Sequence, residues 1–269
     1  MLGEMIRQNR SRRPLIHCIT NYVTANDCAN MLLACGGSAI MADDPEEVEE
    51  VTAMCGGLVL NMGTPNPRKL EAMLRAGAEA NKLGHPVILD PVGVGSSAMR
   101  REAGHRLLER IRFAAIRANA TEIATLVRGT AAHRGVDADM EESAMDAVGE
   151  NARRLSLKTG AVVVVTGDTD IVTDGKMLYR VHNGHSMMKT VTGAGCQLSS
   201  LLGAYVTANP EKPLQAALAA VCAMGLCGEI AHARLSPLDG NASYRNYIID
   251  AIYNLTPDAL EKGAKYETH

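Results

Sequence analysis

Thr192-Gly193-Ala194-Gly195-Cys196-Gln197 joins two closely spaced glycines to a thiol, just where the following residues, Ala194–Thr207, read as a helix. Such glycines let backbone N–H groups turn into a shared concavity, and the positive end of the helix adds to it. The result is an anion hole suited to phosphate. The same glycines would equally serve close helix packing. A dinucleotide fingerprint is excluded, because the third glycine is missing and the motif lies late in the chain. The Gly-Lys-Ser/Thr end of a P-loop is also absent. Cys196 stands where a helix terminus lowers a thiol from its usual pKa of about 8.5, which makes it a candidate base. The alternative is a side chain that only fills space.

A second set of polar residues falls at the ends of apolar runs. These are Thr20-Asn21, Met41, Asn61-Met62-Gly63, Asp90-Pro91-Val92-Gly93, Arg117-Ala118-Asn119 and Thr166-Gly167. In a parallel α/β sheet the carboxyl ends of the strands share one edge, and ligands bind there. Each residue alone is explained by capping or turning the chain; together with the glycine motif they mark a site. Asp90 is a candidate Mg²⁺ ligand, usually through water. Glu122, in the first turn of a helix, is either a second outer Mg²⁺ ligand or a partner of the helix dipole. Arg117 is a candidate clamp for a nucleotide phosphate, or a surface charge.

The elements that must position these residues are legible as alternation. Strands are expected at Leu15–Ile19, Ser38–Met41, Leu58–Asn61, Val87–Asp90, Ala114–Ile116 and Val162–Thr166. Helices are expected at Tyr22–Cys35, Pro45–Cys55, Pro67–Leu83, Ala98–Arg112 and Thr121–Val127. This order argues for βαβ units and a mainly parallel sheet. The unbroken run Val162–Val165 fits a strand covered on both faces. Asp170–Thr173, Asp174-Gly175 and Met177–Val181 read as a hairpin with a tight primed turn, giving the sheet an antiparallel edge. From Gly193 onward the chain reads as helical: Ala194–Thr207, Pro213–Ala233, Tyr244–Asn254 and Pro257–Lys262. Gly129–Glu141 reads as a surface loop.

Composition sets the bounds. The 269 residues are 46% hydrophobic and 21% charged, with net charge −3, no Trp and one Phe. That is an ordinary globular balance with no basic run for nucleic acid. Seven irregularly spaced cysteines without C-x-x-C suit a reducing cytosol better than a disulfide framework. No apolar segment follows the N-terminal arginines as a secretory signal would require. The apolar stretch Ala216 to Gly228 is short for a bilayer span and reads as a buried helix. His182 and His185 are separated by Asn-Gly, which favours a turn over a metal site. His17 and Cys18 lie within a strand and face opposite sides, so they read as core.

Five segments, in order along nearly the whole chain, resemble the hydroxyethylthiazole kinase family. They are Pro14–Asn21, Asp90–Gly95, Ala115–Ile123, Val165–Gly167 and Thr192–Cys196. The resemblance implies a single ribokinase-like α/β domain over residues 1–269. It would have a mainly parallel central sheet flanked by helices, with an antiparallel edge hairpin. It implies ATP- and Mg²⁺-dependent phosphorylation of 4-methyl-5-(2-hydroxyethyl)thiazole by a cytoplasmic homotrimer with shared active sites. Arg117 and Thr166 would contact ATP. Asp90 and Glu122 would position Mg²⁺. Met41 and Gly193 would contact the thiazole, with Asn21 near it. Gly193, Ala194, Gly195 and Cys196 would form the anion hole, with Cys196 beside the acceptor hydroxyl. The sequence departs from the family's common pattern at Ala118, usually Gly, and at Asp239–Tyr244. The alternatives are a related kinase for a pyrimidine or pyridoxal alcohol, or a silent nucleotide-binding module. Sister kinases usually carry Asp where this chain has Cys196.

Overall fold

Branched apolar runs bounded by Gly, Pro and Asn form the strands, and longer amphipathic segments form the helices between them. A computed structural model describes residues 1–129 and 141–269. The expected loop Gly129–Glu141 therefore lies, apart from its two ends, outside the described residues.

Six strands run parallel: β1 (Leu15–Ile19), β2 (Ser38–Ile40), β3 (Gly57–Asn61), β4 (Val87–Asp90), β5 (Ala115–Asn119) and β6 (Val162–Thr166). Three more, β7 (Asp170–Thr173), β8 (Leu178–Val181) and β9 (Tyr266–Thr268), add on antiparallel. The order across the described sheet is β2-β1-β3-β4-β5-β6-β7-β8-β9. This is the expected α/β class, with two corrections at the edge. The hairpin is not outermost, because β9 covers it. Its turn is also longer than a tight primed turn, since Thr173 pairs with Leu178. The Asp174 carboxylate accepts from the backbone N–H groups of Lys176 and Met177, and Thr173 Oγ1 accepts from that of Gly175. These bonds hold a four-residue loop.

Helices cover both faces. One layer contains α1 (Leu2–Arg12), α2 (Ala25–Cys35), α8 (Ala194–Ala208), α9 (Pro213–Ala233), α10 (Asn241–Asn254) and α11 (Pro257–Gly263). The other contains α3 (Val48–Met54), α4 (Pro67–Leu83), α5 (Ala98–Arg110), α6 (Ala120–Arg128) and α7 (Glu141–Thr159). Val162 and Val164 enter the first core, Val163 and Val165 the second, as period-two alternation requires. The helices α1 and α7, the short 3-10 helix Ser186–Thr190 and β9 were not expected from the sequence. α2 starts three residues later than expected, because Asn21 Oδ1 accepts from the N–H groups of Val23 and Thr24 and holds residues 21–24 in a turn.

The reading of His17 and Cys18 as core holds. His17 is fully buried, with one ring nitrogen 2.8 Å from Thr52 Oγ1 and the other 2.9 Å from the Ala42 carbonyl. Helix α9 has the expected bounds, Pro213–Ala233. It is long and apolar enough to cross a membrane, yet 83% of its most apolar window is buried in the fold.

Candidate active site

Register builds the site. Asn61 at the end of β3 pairs with Asp90 at the end of β4, and Asn119 at the end of β5 pairs with Thr166 at the end of β6. The carboxyl edge thus gathers the expected polar row, and the start of α8 faces it.

A buried network joins four elements. Asn61 Nδ2 donates to Asp90 Oδ2 at 2.8 Å and to the Cys196 sulfur at 3.2 Å. Asn21 Nδ2 donates to Asn61 Oδ1 at 3.0 Å and to the same sulfur at 3.5 Å. Ser199 Oγ, one turn into α8, donates to Asp90 Oδ2 at 2.7 Å. Asn61 and Ser199 had no assigned role in the sequence reading. Asn61 was visible at a strand end; nothing in the spacing pointed to Ser199.

Asp90 is fully buried, and its second oxygen, Oδ1, has no hydrogen-bond partner. Arg117 Nη1 stands 3.5 Å from that oxygen, while Nη2 donates to Thr166 Oγ1 at 2.6 Å. Arg117 therefore faces inward and is not a surface charge. Burial pushes the Asp90 carboxyl up, with Arg117, Ser199 and Asn61 opposing. Glu122 forms a capping box with Asn119, giving and receiving one hydrogen bond, and its Oε1 accepts from the Gly93 N–H at 2.7 Å. The capping role is therefore real, and it also ties α6 to the loop after Asp90. Burial raises the Glu122 carboxyl as well, and the nearby Asp90 adds to the rise.

Gly193 caps α8 with φ +83°, a left-handed conformation, and a Cβ there would overlap Thr24 Cγ2. A Cβ on Gly195 would overlap the Arg117 guanidinium. A Cβ at Gly193 is thus barred by the backbone conformation and by Thr24, whereas one at Gly195 would push aside the flexible end of Arg117. Cys196 is buried, and burial followed by Asp90 pushes its thiol up despite the helix terminus. The expectation of a lowered thiol pKa does not hold here. Desolvation opposes the charged form more strongly.

A cavity of about 520 Å³ opens beside this turn, lined by Arg117, Thr166, Gly193, Ala194 and Gly195 at one end. Asp170 also lines it; burial raises its carboxyl to about 6. In the sequence Asp170 is marked only as the first residue of a hairpin strand. Asn21, Asp90, Glu122 and Cys196 stand outside the lining, behind the turn. Met41 lies just past the edge strand β2, 39% exposed, and is not brought into the polar network. Ala118 is buried within β5, and Asp239 caps the turn before α10 by accepting from Ser236. Neither departure disturbs the network.

A magnesium ion fits the two carboxylates. Asp90 offers a buried oxygen without a hydrogen-bond partner, Asp90 raises the cost of ionising Glu122, and Mg²⁺ commonly takes only one or two carboxylates together with substrate phosphates. No group of three or more His, Cys, Asp or Glu suited to a metal occurs among the described residues.

The model of the Hydroxyethylthiazole kinase family matches residues 6–258. Hydroxyethylthiazole kinase of Clostridium acetobutylicum is 53% identical over 273 residues, covering 100% of both chains. The solved structure of the hydroxyethylthiazole kinase protein from Pyrococcus horikoshii OT3 superposes with a TM-score of 0.89 at 31% identity, covering 100% of this chain and 98% of that one. Staphylococcus aureus pyridoxal kinase in complex with ADP shares the architecture alone, with a TM-score of 0.64 at 15% identity over 95% and 97% of the two chains. The fold is ribokinase-like, and the chain belongs to the hydroxyethylthiazole kinase family.

Proposed function

We propose that this chain, as one domain over residues 1–269, transfers the γ-phosphoryl group of ATP to the primary alcohol of 4-methyl-5-(2-hydroxyethyl)thiazole. One observation carries the reading. The Gly193–Gly195 turn separates a cavity bearing Arg117 and Thr166 from a buried cluster of Asn21, Asn61, Asp90 and Cys196. The anion hole thus stands between the cavity read as the donor's and the buried cluster read as the acceptor's.

Phosphoryl transfer asks the protein for positioning and charge stabilisation. Arg117 and Thr166 hold the ATP phosphates, and the N–H groups at the start of α8 receive the moving phosphoryl group. Asp90 and Glu122 would hold Mg²⁺, which when bound would neutralise phosphate charge. Asn21 and Gly193 orient the thiazole alcohol beside Cys196. The Cys196 thiolate takes the alcohol's proton. Asn21 and Asn61 both donate to the sulfur and so favour that thiolate, against the burial that opposes it.

Met41 completes the thiazole site in a homotrimer with shared active sites. Exposed Tyr22, Val23 and Met41, just past the ends of the neighbouring strands β1 and β2, support a covered face at that edge. Seven free, buried cysteines favour a reducing cytoplasm. The test is release of ADP on mixing the protein with ATP, Mg²⁺ and the thiazole alcohol. Dependence on all three supports the assignment; ADP release indifferent to the alcohol refutes it.

A further inference from the structure

The far end of the Arg117 cavity has chemistry that phosphate contacts do not use. His182, Asn183, Gly184, His185 and Met188 line it, facing Met224 and Gly225 of α9. The His185 ring stacks on His232, with centroids 3.5 Å apart and planes 20° from parallel. His232 in turn meets the edge of Tyr244, and the Tyr244 hydroxyl donates to the Gly228 carbonyl. His185 Nδ1 accepts from the Met187 N–H, which fixes the ring's orientation. A ring so held and backed on one face by a second ring is a fixed flat surface.

The strap carrying His185 is pinned from two sides. Asn183 Nδ2 donates to Glu229 Oε1 and to the Gly263 carbonyl, and its Oδ1 accepts from the Lys265 N–H. The Gly184 N–H donates to the same Glu229 oxygen, at a φ of +134° that suits glycine. A Cβ on Gly225 would stand 2.6 Å from Asn183 Cβ, so the strap lies directly against α9. His185 therefore keeps its place without a ligand, and binding orders little further backbone.

The geometry points to His185 as the stacking platform for the nucleobase of the phosphoryl donor, with His232 fixing the ring and Met188 and Met224 supplying apolar walls. The assignment rests on reading the cavity as the donor site. Arg117 and Thr166 at one end and His185 at the other make it bipolar, as a nucleotide rather than a simple polyphosphate requires.

Calorimetry with ATP and with inorganic tripolyphosphate, each with Mg²⁺, separates the two ends. The parent should bind ATP more tightly than tripolyphosphate. Removing a stacking ring typically weakens base binding by about tenfold or more. His185→Ala should lose that much for ATP and keep its tripolyphosphate affinity, while His185→Phe, which keeps a flat ring, should retain most of the ATP affinity. Equal ATP affinity in parent and His185→Ala overturns the platform, as does an equal loss for both ligands. A parent that binds both ligands equally overturns the base subsite but leaves the phosphate end standing. A parent that binds neither overturns the donor-site reading itself.

Discussion

Asn61 Nδ2 lies 3.2 Å from the Cys196 sulfur and 2.8 Å from Asp90 Oδ2, so one amide joins the proposed base to the proposed metal ligand. Asn61→Ala leaves a buried carboxylate and a thiol short of a donor. It should destabilise the fold by about 1–3 kcal/mol, the usual cost of an unsatisfied buried group. It should also lower turnover beyond what the melting shift explains. Thermal melts beside kcat measurements check this. Wild-type turnover in a folded Asn61→Ala protein would remove Asn61 from the site.

Cys196 yields a prediction with a sign. Its thiol is raised by burial and Asp90, so thiolate accumulates only above the ordinary thiol range. If the thiolate is the base, kcat/KM climbs with pH through neutrality and beyond. Cys196→Asp, already ionised at neutral pH, flattens that climb. Cys196→Ala should lose about a hundredfold or more. A flat profile in the parent, or full activity in the Ala variant, would leave catalysis to the anion hole.

The two glycines separate folding from binding. Gly193→Ala must adopt φ +83° and displace Thr24, which should cost about 1–3 kcal/mol of stability. A Cβ at Gly195 instead meets the end of Arg117, a flexible side chain. Gly195→Ala should therefore fold and melt nearly as the parent does, yet raise the KM for ATP about tenfold by displacing the clamp. Matched melts and ATP titrations of the pair test this. An unchanged KM in Gly195→Ala would take Arg117 out of the donor site.

How much of this was legible is clearest at β5 and its neighbours. The ends of β1, β4 and β6 follow from branched apolar runs stopped by Asn, Asp or Gly, and those ends carry Asn21, Asp90 and Thr166. β5 continues through Arg117 and Asn119, two polar residues that hide a strand whose outward positions face a site. The network around Asp90 was only half visible. Asn61 stood at a strand end, but Ser199 reaches Asp90 because α8 packs across β3 and β4, and no local spacing encodes that crossing. α1 escaped because its buried face is short, with Leu2, Met5 and Ile6 set among the charges of Glu4, Arg7, Arg10 and Arg12. The raised Cys196 thiol was misjudged for the same reason: burial is a property of the packed chain.

Asp170 gives a pH dependence of stability. Its carboxyl is raised to about 6, first by burial, with Arg117 opposing and Asp168 adding. Stability from the neutral form is fully present below the ordinary carboxylate range and is lost as pH rises through about 6. Asp170→Asn can still accept from the Gly167 N–H and cannot ionise. Relative to the parent, its melting temperature should gain between about pH 4 and 6 and level off above that. A constant difference across that range would contradict the assignment.

The trimer proposal predicts a light-scattering mass of about three times the 28.6 kDa chain. Charged substitutions at the exposed Tyr22 and Val23 should dissociate it and cut thiazole turnover together. A dissociated yet fully active variant would reject shared sites.

Acceptor choice tests the central claim most directly. The protein is mixed with ATP, Mg²⁺ and equal amounts of hydroxyethylthiazole, hydroxymethylpyrimidine and pyridoxal, and the products are weighed by mass spectrometry. The account predicts hydroxyethylthiazole phosphate as the dominant product, formed with stoichiometric ADP. Rapid phosphorylation of pyridoxal or the pyrimidine without thiazole phosphate would contradict it.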